Sequence, residues 1–118
     1  MIKLYISNNR SSRYAIQFFN ENHIPYVKIS LNSTFTKKDL LYILSRNEED
    51  VQNILTLRSP KIKNIKHELE QLTLNNLMNM ILSNKSMLKT PIIIDDKHFL
   101  CGYNKEDIRS FLPRQHQI

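Results

Sequence analysis

The sequence is poor in cysteine, with one, Cys101, in 118 residues. A single thiol excludes an intramolecular disulfide and any cysteine-rich metal centre. Cys101 lies between Leu100 and Gly102, at an expected strand end, and reads as a buried structural thiol rather than a reactive one. The absence of sulfur matters most at another place. Ile2-Lys3-Leu4-Tyr5-Ile6-Ser7 reads as a buried strand, a helix is expected to start near Ser12, and Asn8-Asn9-Arg10-Ser11-Ser12 joins the two. The exposed amides and dipole of a helix N-terminus would stabilise a thiolate there, and no thiol is present.

Other absences narrow the field. No segment approaches the ~20 apolar residues needed to span a bilayer, and no apolar run marks an export signal at the N-terminus, so a cytoplasmic protein is expected. His23, His67, His98 and His116 are scattered without metal-ligand spacing, and no metal or cofactor is expected. Asp95-Asp96 belongs to a turn rather than a catalytic pair. There is no repeat, linker, low-complexity tract, helix-turn-helix or RNA-binding signature. Seventeen Lys and Arg against eleven acids give a net charge of +6, which favours an acidic partner or nucleic acid and is silent on fold. The 41% hydrophobic content suits one domain with a genuine core.

What is present reads as alternating elements. Leu4 and Ile6 with Ile2 and Tyr5 suit a central strand buried on both faces. Ser11 or Ser12 can cap the next helix, whose Ala15, Phe18 and Phe19 form an apolar stripe. His23-Ile24-Pro25 ends it, and Tyr26-Val27-Lys28-Ile29 is a second strand, parallel to the first. A helical middle follows. Thr36 caps a helix over 37–44 with Asp39 at the capping-box position, a short helix is expected from Glu48 to Leu55, and Arg58-Ser59-Pro60 breaks it. Residues 62–72 look helical, and Thr73 caps Leu74–Leu82, with Leu74, Leu77, Met78, Ile81 and Leu82 as core. Thr90-Pro91-Ile92-Ile93-Ile94-Asp95 and His98–Gly102 form a hairpin. Asn104 caps a last helix with Ile108, Phe111 and Leu112 on its apolar face. In this β-α-β, helices, β-β-α order, the two halves merge into one four-stranded mixed sheet, and Pro91 faces the loop after the first strand.

These residues carry a resemblance: Leu4-Tyr5 with Ser7, Ile24-Pro25-Tyr26, Ile43-Leu44, Thr56-Leu57-Arg58-Ser59, Leu88 with Pro91-Ile92-Ile93-Ile94-Asp95, and Gly102-Tyr103-Asn104 leading to Ile108-Arg109 and Phe111-Leu112-Pro113-Arg114. The chain resembles the arsenate reductase-like (ArsC) proteins of the thioredoxin superfamily, and within them the Spx transcription regulators of Gram-positive bacteria. The resemblance implies a single α/β domain with a thioredoxin-like four-stranded mixed sheet. Its core would be residues 1–32 and 85–118, with a helical insertion at 33–84. It also implies a cytoplasmic regulator of stress transcription that binds the C-terminal domain of the RNA polymerase α subunit and reaches DNA only through polymerase.

Several residues depart from the family pattern. The CxxC switch of typical members falls on Asn9 and Ser12, so no thiol switch and no enzyme activity are expected. Arg58 matches an arginine kept near the cysteine loop and, with Pro91, would stabilise it. A second family arginine, before the proline, is Thr90. The polymerase surface implied for this chain is Tyr5, Ser7 and Arg10 with Asn47, Glu48, Glu49 and Asp50; Asp50 replaces a glycine. The family's longer tail, which marks members for adaptor-driven proteolysis, has no counterpart past Gln117-Ile118, and an adaptor remains a candidate partner. Lys61, Lys63 and Lys66 read as a solvated face, with a phosphate-facing patch alongside Lys85 and Lys89 as the alternative. Two other readings stand beside the regulator: an interaction decoy that occupies a regulator's partner or adaptor, and a degenerate reductase or glutathione-dependent enzyme in which Ser12 replaces cysteine.

Overall fold

The computed structural model describes residues 1–56 and 72–113. The backbone divides into two compact units, Met1–Thr34 with Thr90–Ile118, and Phe35–Lys89.

The first unit holds β1 (Ile2–Ile6), α1 (Arg10–Glu21), β2 (Tyr26–Ser30), β3 (Ile92–Ile94) and β4 (Phe99–Cys101). The strands form one mixed sheet in the order β2-β1-β3-β4, the α/β architecture expected. β1 and β2 pair in parallel, with Ile2 opposite Tyr26 and Ile6 opposite Ser30. β3 runs antiparallel to both β1 and β4. Ile92, Ile93 and Ile94 have no exposed surface, as an unbroken β-branched run buried on both faces requires. On one face, Leu4 and Ile93 meet Ala15 and Phe19 of α1 and Ile108, Phe111 and Leu112 of the C-terminal turn. Phe19 centres this core, its ring edge-on to Phe111 at 6.0 Å.

Three local expectations for this unit are corrected. The buried face of α1 is Ser12, Ala15 and Phe19; Phe18 lies one position round and is half-buried. The last helix is a 3₁₀ turn, Asp107–Phe111. Asn104 still accepts the amides of Glu106 and Asp107, both at 2.9 Å, and this Asx geometry tightens the segment before an α-helix can start. Cys101, expected to be buried, is half-buried on the short strand β4.

The chain has one glycine, spent after β4 as Gly102 at φ 85°. The end of α1 therefore turns through a residue with a Cβ. His23 takes φ 53°, its amide bonds to Asn20 O at 3.2 Å, and the Ile24 amide reaches back to Phe19 O at 2.9 Å. This is the paired closure of a Schellman motif, with Ile24 buried against the helix it ends.

The second unit holds α2 (Lys37–Arg46) and α3 (Leu74–Ser83), which pack on each other, and 3₁₀ turns at Val51–Ile54 and Lys85–Met87. Thr36 and Asp39 form the expected capping box, and Thr73 accepts the Asn76 amide to start α3. Leu55 bridges Leu88, and the amides of Thr56 and Lys89 reach Met87 O and Ile54 O at 2.8 Å each. The helix expected over 48–55 is replaced by the four-residue 3₁₀ turn Val51–Ile54, with no acid in its first turn. Leu77, Met78 and Ile81 are buried as expected, whereas Leu74 is 56% exposed and Leu82 half-buried. The break at Arg58-Ser59-Pro60, the helix expected over 62–72 except Leu72, and Lys61, Lys63, Lys66 and His67 lie outside the described residues.

Candidate functional site

The junction between β1 and α1 is closed by oxygen and nitrogen where the resemblance implies sulfur. The antiparallel register that sets Tyr5 against Ile92 brings Ser7 opposite Thr90 at the next like-facing position. Their hydroxyls lie 2.5 Å apart. Asn9 completes a triangle, its Nδ2 donating to Ser7 Oγ at 3.0 Å and to Thr90 Oγ1 at 2.8 Å. Its Oδ1 accepts the Ser12 amide at 2.7 Å, making Asn9 the N-cap of α1 in extended geometry. Ser12, 1% exposed, accepts the Ser7 amide on Oγ at 3.2 Å. Thr90 leads into Pro91 through a cis peptide bond.

This corrects the expected cap. Asn9, not Ser11 or Ser12, ends the loop, and Ser12 sits inside the first turn of α1. Thr90 was visible in sequence only as a departure from an arginine. Its position before a proline that faces the loop is the signal that could have marked it as a partner of Asn9.

None of Ser7, Asn9, Ser12 and Thr90 titrates near neutral pH. The network therefore offers no thiolate and no acid–base pair. The Ser12 amide, a donor that could hold an anion at the helix start, is already taken by Asn9. Chemically the arrangement is a clasp, tying the end of β1 to the start of β3 and to the first turn of α1.

The other expected residues fall in separate places. Tyr5 has no exposed surface, because its ring belongs to the buried sheet; it is corrected from a contact residue to a core residue. Ser7 is half-buried within the clasp, and Arg10 is exposed. Asn47, Glu48, Glu49 and Asp50 belong to the second unit, in the loop between α2 and the Val51–Ile54 turn. Asn47 caps α2 through its amide to Ile43 O at 3.0 Å, and its Nδ2 donates to Glu49 O at 3.0 Å. Glu49 Oε2 accepts from Asn53 at 2.8 Å. The loop is thus shaped by its own hydrogen bonds, and it leaves Glu48, Glu49 and Asp50 exposed. Arg58 lies outside the described residues.

One carboxylate in the first unit is electrostatically tuned. Asp95 accepts the Lys97 and His98 amides at 2.8 and 2.6 Å, and the His98 ring nitrogen lies 3.1 Å away. Partial burial pushes its pKa up, but the Lys97 amide, the His98 ring and the His98 amide outweigh that and hold it below the ordinary carboxylate value. His98 also packs on Phe111, ring centroids 5.4 Å apart. This pair orders the β3–β4 turn. Among the described residues no cluster of three His, Cys, Asp or Glu could hold a metal, and no helix is long and apolar enough to cross a membrane.

The chain matches the model of the ArsC family over residues 4–111. It is 33% identical over 119 aligned positions to the global transcriptional regulator Spx 1 of Lactococcus lactis, covering 99% of this chain and 93% of that protein. It is 37% identical over 116 positions to the global transcriptional regulator Spx 1 of Bacillus cereus, covering 97% and 88%. Its fold is similar to the crystal structure of a possible arsenate reductase from Streptococcus mutans, with a TM-score of 0.73 and 17% identity over 92% of this chain and 97% of that one.

Proposed function

Because the chain belongs to the ArsC family and aligns almost end to end with regulators named Spx, we propose that it is a Spx-like transcription regulator that works without a thiol/disulfide switch. It binds the C-terminal domain of the RNA polymerase α subunit in the cytoplasm and reaches promoter DNA through polymerase. The observation that carries this reading is the clasp. At the two positions where the resemblance implies cysteines, Asn9 and Ser12 are bonded to each other and hold the first loop in one shape. A cysteine pair would do the same only when oxidised to a disulfide. The regulator is therefore permanently in its binding form, and its activity follows its abundance.

The surface offered to the α subunit is the acidic loop Glu48, Glu49 and Asp50 of the second unit, shaped by Asn47. Three exposed carboxylates in a chain of net charge +6 suit a basic patch on the partner. An enzyme reading finds less support, since a reductase needs a nucleophile and a rigid cation cluster, and the clasp supplies neither. A specific feature favours a second reading, the decoy. Asp50 puts a charged side chain where the resemblance implies glycine, which would weaken activation while leaving adaptor or partner binding in place.

Capture of the isolated α-subunit domain tests the proposal. Binding at a Kd on the order of tens of micromolar or tighter is expected. No binding, with Asp50→Gly equally silent, overturns it. In cells a regulator alters thiol-stress transcripts on its own, whereas a decoy does so only when an active regulator is present.

A further inference from the structure

The charges of the first unit are sorted by position. Its first twenty residues contain Lys3, Arg10 and Arg13 and no acid; the first carboxylate is Glu21, at the far end of α1, where Gln17 donates to it at 2.8 Å. Asp95 and Asp96 lie in the β3–β4 turn beside Met1 and Ile2, at the opposite end of β1 from the loop that starts α1. Glu106 and Asp107 line a recess with Lys97, His98, Phe99 and Leu100. Among the described residues of the first unit, the start of α1 thus carries arginines and no acid in its first turn.

Two tyrosines stand at that end. The Gly102 amide bonds Pro91 O at 2.7 Å, which brings Tyr103 alongside the clasp. Tyr14, on the first turns of α1, packs on Tyr103 with centroids 5.4 Å apart and planes tilted by 50°. The tilt is not a closed stack, and Tyr14 is 45% exposed. Arg13, its neighbour, is exposed, and among the described residues its side chain makes one long contact, 3.4 Å from Nη1 to Asn8 Oδ1. Arg10 is exposed one turn earlier. Two cations at the positive end of a helix are locally unfavourable. An anionic ligand would offset that cost.

We propose that this face, Arg13 and Tyr14 with Tyr103 behind, binds single-stranded nucleic acid. Arginine takes a backbone phosphate in a two-pronged fashion, and an exposed tyrosine ring supported by a second ring stacks an unpaired base. Arg10 and Arg13 neutralise about two phosphates, which is too little to hold a duplex but is sufficient alongside base stacking. The helix amides play no part, since Asn9 already caps Ser12. The proposal does not rest on polymerase binding, which uses the 47–50 loop.

Fluorescence anisotropy of the full chain with a labelled oligothymidylate and a matched duplex, across a salt series, tests it. The single strand is expected to bind, with a log–log salt slope of about −1.4. Tyr14→Ala is expected to weaken it about tenfold, and Arg13→Gln to reduce the slope by about 0.7. Both side chains are exposed, so circular dichroism should match wild type and α-domain capture should persist. Absence of single-strand binding at low salt overturns the proposal. So does tighter binding to the duplex, or wild-type affinity in both variants.

Discussion

Replacing Asn9 with alanine removes three hydrogen bonds at once: the cap to the Ser12 amide, and the bonds to Ser7 Oγ and Thr90 Oγ1. Loss of an N-cap costs about 1 kcal/mol. A net hydrogen bond is worth about 1 kcal/mol when fully buried, and the two Nδ2 bonds, half-buried and replaceable by water, together contribute about that much. Asn9→Ala should therefore cost about 2 kcal/mol. Asn9→Ser keeps a capping oxygen but does not reach Thr90, so it should cost about half as much. Urea denaturation followed by circular dichroism measures both, and at an unchanged slope of about 1–2 kcal/mol/M the alanine variant's midpoint should fall by about 1–2 M. Alanine within about 0.5 kcal/mol of wild type, or serine no better than alanine, would refute the clasp as a stabilising unit.

His23→Gly should raise stability by about 1 kcal/mol, because glycine occupies the left-handed position without a Cβ clash; thermal melting checks it, and a destabilised variant would contradict the strain. Thr36→Ala removes the capping box of α2 and should cost about 1 kcal/mol in urea denaturation. Because the pKa of Asp95 is lowered on folding, its contribution is complete above about pH 4 and is lost as pH falls through the lower folded value. The stability difference between wild type and Asp95→Asn should accordingly be largest at neutral pH and shrink on acidification, as read from denaturation at a series of pH values.

The sheet was legible in sequence because its signals are local: a short apolar strand, a proline-opened isoleucine run, and a turn between Asp95 and His98. Thr36 was legible because Asp39 stands three residues on at the capping-box position, and Thr73 because it directly precedes an apolar period. The loop after β1 was not, since Asn8, Asn9, Ser11 and Ser12 are all competent caps. The choice of Asn9 is made by Ser7 and Thr90, and Thr90 is 81 residues away. Residues 48–55 show helical spacing, yet Asn47 turns the chain and Leu55 bridges Leu88, leaving room for only one tight turn. Tyr5 illustrates a conflict within sequence reading itself. A central strand and a partner surface both claimed it, and burial in the sheet decided between them.

Recognition without a redox switch is the central proposal for this protein. The most direct measurement is the affinity of the full chain for the α-subunit domain, taken once in excess dithiothreitol and once after diamide treatment. One Kd, unchanged between the two conditions and also unchanged in Cys101→Ser, is the expected result. Binding that appears or disappears with oxidation, or that follows Cys101, would contradict it.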